Sequence, residues 1–128
     1  MRVICTDNSG SKLSRRYFDV GYSVASKFQL SVDREYDVYA IGLWRGLLSY
    51  LVIDNNSNPG WYPADLFQLL DSSLPPSWQF AFFGQTPEQW LNAVWGYEEL
   101  KDANHYDDLT NLKEDALRIF YERRRELE

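Results

Sequence analysis

Two runs rich in β-branched and aromatic residues, Tyr36–Leu43 and Leu47–Ile53, are separated only by Trp44-Arg45-Gly46. In the first run Tyr36, Val38 and Ala40 can face one way while Asp37, Tyr39 and Ile41 face the other, which is the period of a strand. A glycine in so short a connection supplies a positive φ, so the two runs predict a β-hairpin. Asp54–Gly60 follows as a block of turn formers with three asparagines, a proline and a glycine. Pro63 then fits the first position of a helical turn over Ala64-Asp65-Leu66, and Gln68–Leu70 predicts a brief strand ending at Asp71. The middle third of the chain is therefore committed to antiparallel β-structure.

The flanks are read from weaker patterns. Arg2–Thr6 predicts a short strand stopped by Asp7-Asn8-Ser9-Gly10, and the polar, basic Ser11–Arg16 predicts a loop. Alternation at Val20, Tyr22 and Val24 predicts a strand within Tyr17–Val32, with Lys27–Val32 as a further extended piece. Trp78–Phe83 predicts another strand before Gly84. Thr86-Pro87-Glu88-Gln89 has the form of a capping box, and Trp90, Leu91, Val94 and Trp95 share the helical face that would follow it, up to Gly96. Tyr97–Leu109 reads as acidic and irregular. Asn111, with Glu114 three residues on, predicts the cap of a final helix whose apolar stripe is Leu112, Ala116, Ile119, Phe120 and Leu127. At 128 residues the chain has the length of one domain. The expected fold is α+β, a single domain over 1–128: β-rich over 1–84, a small antiparallel barrel or curled sheet, then helical over 85–128 with one or two C-terminal helices.

The run Gly60-Trp61-Tyr62-Pro63-Ala64-Asp65-Leu66-Phe67-Gln68-Leu69-Leu70-Asp71 resembles the closing segment of SH3-like barrels. There a hairpin is followed by a proline, a short helical turn, an aromatic residue and a last strand. The resemblance covers residues 36–71. It departs from signalling SH3 domains in lacking an ALYDY-like run and paired tryptophans in the hairpin. Small size, acidity and a barrel-plus-helix plan are also similar, in type, to bacterial immunity proteins of toxin–antitoxin or contact-inhibition systems.

Charge is unevenly placed. The net charge is −6, from 13 basic and 19 acidic residues, and the excess lies late in the chain. Between Gln85 and Asp115, the carboxylates Glu88, Glu98, Glu99, Asp102, Asp107, Asp108, Glu114 and Asp115 face only Lys101 and Lys113. Such a surface repels phosphate, so direct nucleic-acid binding is not expected, whereas a basic protein partner would be steered towards it. No apolar run approaches the roughly 20 residues that cross a bilayer, and Met1–Gly10 has no basic stretch followed by an apolar one. The expectation is a cytoplasmic protein that does not engage membranes.

Reactive constellations are scarce. The only cysteine, Cys5, and the only histidine, His105, lie a hundred residues apart, and neither a nucleophile elbow nor a phosphate-binding glycine loop occurs. Asp54-x-Asn56-x-Asn58 with Asp65 echoes a calcium loop, but Pro59 stands where that loop needs glycine and the last position holds Asp65 rather than glutamate. Asp102–Asp108 places a single imidazole among carboxylates, too few nitrogen or sulfur ligands for a zinc site. No catalytic residue, metal site or cofactor is expected.

Aromatic residues carry the remaining signal. Trp44 beside Arg45 sits at a hairpin tip, Trp61 and Tyr62 follow a turn, and Trp78 follows Pro75-Pro76-Ser77. Trp, Tyr and Arg are the types enriched at binding hot spots. The expected function is a non-enzymatic, acidic protein-binding module. Its binding residues would be Trp44, Arg45, Trp61, Tyr62, Trp78, Glu98, Glu99, Asp102, Asp107 and Asp108. In its sharpest form it would be an immunity protein that neutralises a bacterial nuclease-type toxin. The alternative is an SH3-like module that takes a peptide or small ligand on exposed aromatics, and a small enzyme ranks behind both.

Overall fold

The computed structural model describes residues 1–127. Eight strands form two antiparallel sheets. Strands β1 (Arg2–Cys5), β2 (Glu35–Asp37) and β6 (Phe67–Asp71) make a three-stranded sheet in the order β2-β1-β6. Strands β3 (Ala40–Trp44), β4 (Leu47–Ile53), β5 (Pro59–Pro63), β7 (Gln79–Phe82) and β8 (Leu91–Gly96) make a five-stranded sheet in the order β5-β4-β3-β8-β7. A one-turn helix α1 (Arg15–Phe18) lies in the long β1–β2 connection, and α2 (Ala103–Thr110) and α3 (Glu114–Leu127) close the chain. The α+β class stands, but the sheets do not join into a closed barrel.

Two cores explain the layering. One lies between the sheets and gathers Val3, Cys5, Tyr36, Leu47, Val52 and Leu66. The other lies between the larger sheet and the helices, with Ala40, Leu51, Val94, Tyr106, Leu109, Ala116 and Phe120. Strand residues alternate faces, so adjacent Leu51 and Val52 point into opposite cores, both with no exposed surface.

The expected strand Tyr36–Leu43 is broken at Val38-Tyr39. Val38 is buried in the inter-sheet core, but Tyr39 and Ala40, although consecutive, are both buried in the helical one, so strict alternation fails there and the chain passes from one sheet to the other. The Val38 N–H reaches Met1 O at 3.0 Å and the Tyr39 N–H reaches Leu51 O at 2.8 Å, which divides the backbone between the two ladders.

Several expectations fail for physical reasons. The helix expected from Thr86 is instead strand β8. Thr86–Gln89 closes one turn, with the Gln89 N–H on Thr86 O, and the chain then extends. β8 pairs with both β3 and β7, and all of it but Trp95 is buried. A central strand covered on both faces has no polar alternation, so its apolar run reads equally well as a helix. The part read as helical thus begins with a strand, and its last residue, 128, lies outside the described residues.

Tyr97–Leu109 is not irregular. A 3₁₀ turn over Glu98–Lys101 leads into α2, where Asp102 caps the helix by accepting from the Asn104 N–H at 2.9 Å. Asn111 does not start the last helix. It ends α2, its N–H on Asp107 O, and Leu112 takes φ +57° with 40% of its surface exposed.

The strand expected around Val20, Tyr22 and Val24 is absent. Thr6–Arg34 is a packed connection, pinned by the Tyr17 hydroxyl on Leu48 O at 2.7 Å and by Gly10 against Ser23. A Cβ on Gly10 would lie 1.7 Å from the Ser23 carbonyl oxygen, a backbone atom that cannot yield. Gly10→Ala should therefore cost at least about 2 kcal/mol in urea unfolding, by overpacking against main chain. A change within about 0.5 kcal/mol would show that this connection does not hold its place.

Candidate functional site

The turn after β4 is built around Asp54. Its Oδ1 accepts from the N–H groups of Asn56 (2.9 Å) and Asn58 (3.2 Å), and its Oδ2 from the Tyr62 hydroxyl (2.7 Å). The oxygen-rich segment is thus an Asx-stabilised turn that closes a hairpin. Among the described residues, no three His, Cys, Asp or Glu side chains gather as a metal site requires. Cys5 is buried in the inter-sheet core with its thiol on Asp7 O, and burial holds its pKa above the ordinary thiol value. His105 lies on α2 and bonds Tyr97 of the helical core, so the structure does not bring the two together.

Beyond the turn, β5 forms one edge of the larger sheet and runs along a groove of about 510 Å³. Trp61 and Tyr62 are consecutive and so project to opposite sides of β5. Trp61 lies on the helical side, stacked on Tyr106 of α2 with centroids 5.0 Å apart and planes at 31°. It also crosses Gly42 of β3, where a Cβ would lie 3.0 Å from the indole Cζ3. Tyr62 lies on the other side and meets Phe28 edge-on at 6.1 Å. Trp44 and Tyr22 complete the aromatic lining. Asp107, exposed on α2 one residue past Tyr106, is the only charged residue that lines the groove.

The structure therefore gathers Trp44, Trp61, Tyr62 and Asp107 at one place. A cleft of about 630 Å³ beneath Leu74–Ser77 is larger but contains none of the expected residues. The groove is the stronger candidate because facing aromatic walls and a charged rim can recognise a ligand.

The other expected residues lie elsewhere. Arg45 and Gly46 take φ +51° and +76°, a tight two-residue turn between β3 and β4. The Arg45 guanidinium lies 4.0 Å from the Trp90 ring centroid and 5.4 Å from that of Trp44, and the two rings meet edge to face at 6.2 Å. Arg45 is thus clasped by a pair of tryptophans, of which Trp90 was not foreseen. Trp78 packs on the inter-sheet core with its Nε1 buried, apart from Trp44 and Tyr62. Tyr22, Phe28 and Tyr106 were missed as well. For Tyr106, the spacing of His105 and Leu109 could have marked a helix beneath the acidic composition.

The carboxylates have different roles. Glu99 pairs with Arg123 of α3 through two bonds, Nε to Oε1 at 2.8 Å and Nη2 to Oε2. The guanidinium holds the Glu99 carboxyl below the usual range. Asp102 is the helix cap, and Asp108 lies 3.7 Å from Lys113. Glu98 and Asp107 remain exposed and outside any ion pair of the described residues. The acidic stretch is therefore part scaffold and part free surface.

Beside the Glu99–Arg123 pair, the Tyr97 hydroxyl and His105 Nε2 share a 2.7 Å hydrogen bond in the interior. Burial pushes the imidazole pKa down, against the opposing pull of Glu99, Asp102 and Asp108, and pushes the Tyr97 phenol up.

Arg123→Ala should lower stability by about 1–2 kcal/mol because the half-buried Glu99 loses a bidentate partner, whereas Asp107→Ala should change it by less than about 0.5 kcal/mol. Equal losses in chemical denaturation would refute the division of roles. The His105 pKa is lower folded than unfolded, so below about pH 6.5 the unfolded chain binds a proton that the native state resists. This contribution to stability is complete above that pH and should decline as pH falls, no more steeply than about 1.4 kcal/mol per unit. His105→Gln should flatten the dependence between pH 7.5 and 5.5, and an unchanged slope would remove His105 as its source. The chain matches no protein-family model, no curated protein and no solved structure.

Proposed function

We propose that the protein is a non-enzymatic binding module that receives a basic partner protein at the groove beside β5. The carrying observation is the composition of that groove: six aromatic residues, one carboxylate and no lysine or arginine line it. Aromatic walls attract a cationic side chain through their ring faces, and exposed Asp107 adds a negative charge at the rim.

In its sharper form the partner is a bacterial nuclease-type toxin, and the module is its immunity protein. Asp107 and Asp108 on α2, with exposed Glu98 on the preceding turn, would then meet the basic surface that normally holds phosphate. Glu99 takes no part in this form, because it is held by Arg123.

A peptide-binding reading draws on the strand order. β2-β1-β6 and β5-β4-β3, with a 3₁₀ turn over Ala64–Leu66 between β5 and β6, supports an SH3-like origin for residues 1–71, with β7 and β8 added beside β3. The same groove serves this reading, through Trp44 and Tyr62.

Capture from native lysate at about 50 mM and about 500 mM salt, with Asp107→Lys/Asp108→Lys as the control, tests the proposal. A basic protein should bind the parent at low salt, associate at least about tenfold more slowly at high salt, and be lost from the double variant. Equal retention by the double variant would defeat the proposal. If the captured protein is a nuclease left fully active in the complex, the immunity form fails while the binding module stands.

A further inference from the structure

The backbone of β5 shows how such a partner can be held. Leu51 stands opposite Trp61 across β4 and β5, and its carbonyl accepts from the Tyr39 N–H at 2.8 Å, on the β3 side. In an antiparallel ladder, a residue whose backbone groups face one neighbour leaves the other neighbour's opposing residue unbonded. Trp61 therefore directs its own N–H and C=O away from β4. The turn gives the same parity: the Asp54 N–H bonds Asn58 O, so pairs 54/58, 52/60 and 50/62 are bonded and 53/59, 51/61 and 49/63 are not. The outward positions of β5 are thus residues 59, 61 and 63. Two of these are prolines, so Trp61 supplies the only outward N–H of the strand.

Among the described residues no strand pairs with this side of β5, and the groove runs along it. On one flank stand Tyr106 and Asp107, with Asn111 four residues after Asp107 on the same face of α2. On the other flank stand Tyr62, Phe28 and Tyr22. Side chains of an extended segment alternate between two flanks, so one set would meet the carboxylate and the other set only aromatic rings.

We infer that the partner presents an extended segment of alternating cationic and apolar residues, which docks beside β5, exchanges its backbone bonds with Trp61 and sets a lysine or arginine against Asp107. The inference rests on the groove being the binding site and adds the mode and the ligand class. Charge complementarity selects the occupant, since Asp107 is the groove's only charge.

The test selects linear peptides from a display library on the intact protein and resynthesises the best one, with and without an N-methyl group on its central amide. Selected peptides should alternate Lys or Arg with apolar residues. N-methylation, and separately Asp107→Asn, should each weaken binding about tenfold, and exchange of the Trp61 amide should slow at least about tenfold in the complex. If the N-methylated peptide binds equally and the Trp61 amide is unprotected, strand addition is overturned while the groove reading survives. If the peptides bind Asp107→Lys as tightly as the parent and shift no groove resonance, both readings fall. A library that yields no binder also overturns strand addition, and lysate capture then decides the groove on its own.

Discussion

The larger sheet must be covered on both faces, and Leu51 and Val52 show why. They are neighbours on β4 and both are fully buried, in different cores. Removing either cover would return one of them to water at a cost of about 1.5–3 kcal/mol for that side chain alone. The three-stranded sheet covers one face and α2 with α3 covers the other. The break at Val38-Tyr39 follows from this, because a single strand run has to serve two layers.

The groove is a by-product of the same layering. β5 lies at the rim of the larger sheet, where both covers end, so Trp61 leans on the helical layer and Tyr62 on the other side. The Asp54 turn sets the register of β5 and ties down Tyr62. The Glu99–Arg123 pair joins the 3₁₀ turn that precedes α2 to α3, which keeps the helical flank in position. Flanks fixed in advance lower the conformational entropy that the groove itself would lose on binding.

Legibility in the sequence followed solvent. The β3–β4 hairpin, the Asp54 turn, the helical turn at Ala64 and β6 were readable, because turn formers bracket short runs rich in β-branched, aromatic and leucine residues. β8 was not, since Leu91–Gly96 is covered on both faces and its one polar side chain, Asn92, is buried too, so no alternation marks it. α2 was hidden by its carboxylates, although its inward residues keep helical spacing. Of the site, Trp61, Tyr62, Trp44 and Asp107 were recognisable by type, but their meeting depends on α2 crossing β5. Tyr22 and Phe28 reach the groove through a long connection whose path no local pattern encodes. The ion pair of Glu99 could not be read locally because its partner, Arg123, lies 24 residues away.

Pro59 and Pro63 bracket β5, and this bears on how the protein behaves at high concentration. An open sheet rim normally invites further chains to stack on it and propagate a ribbon. Here the proline at each end offers no amide hydrogen, so a visiting backbone can exchange both bonds only with Trp61 and finds carbonyls alone at the two ends. Missing donors at both ends make the rim a poorer template for fibres. Tenacity must then come from side chains seated among the rings, so different visitors would be told apart by residue identity and released quickly when that identity is wrong.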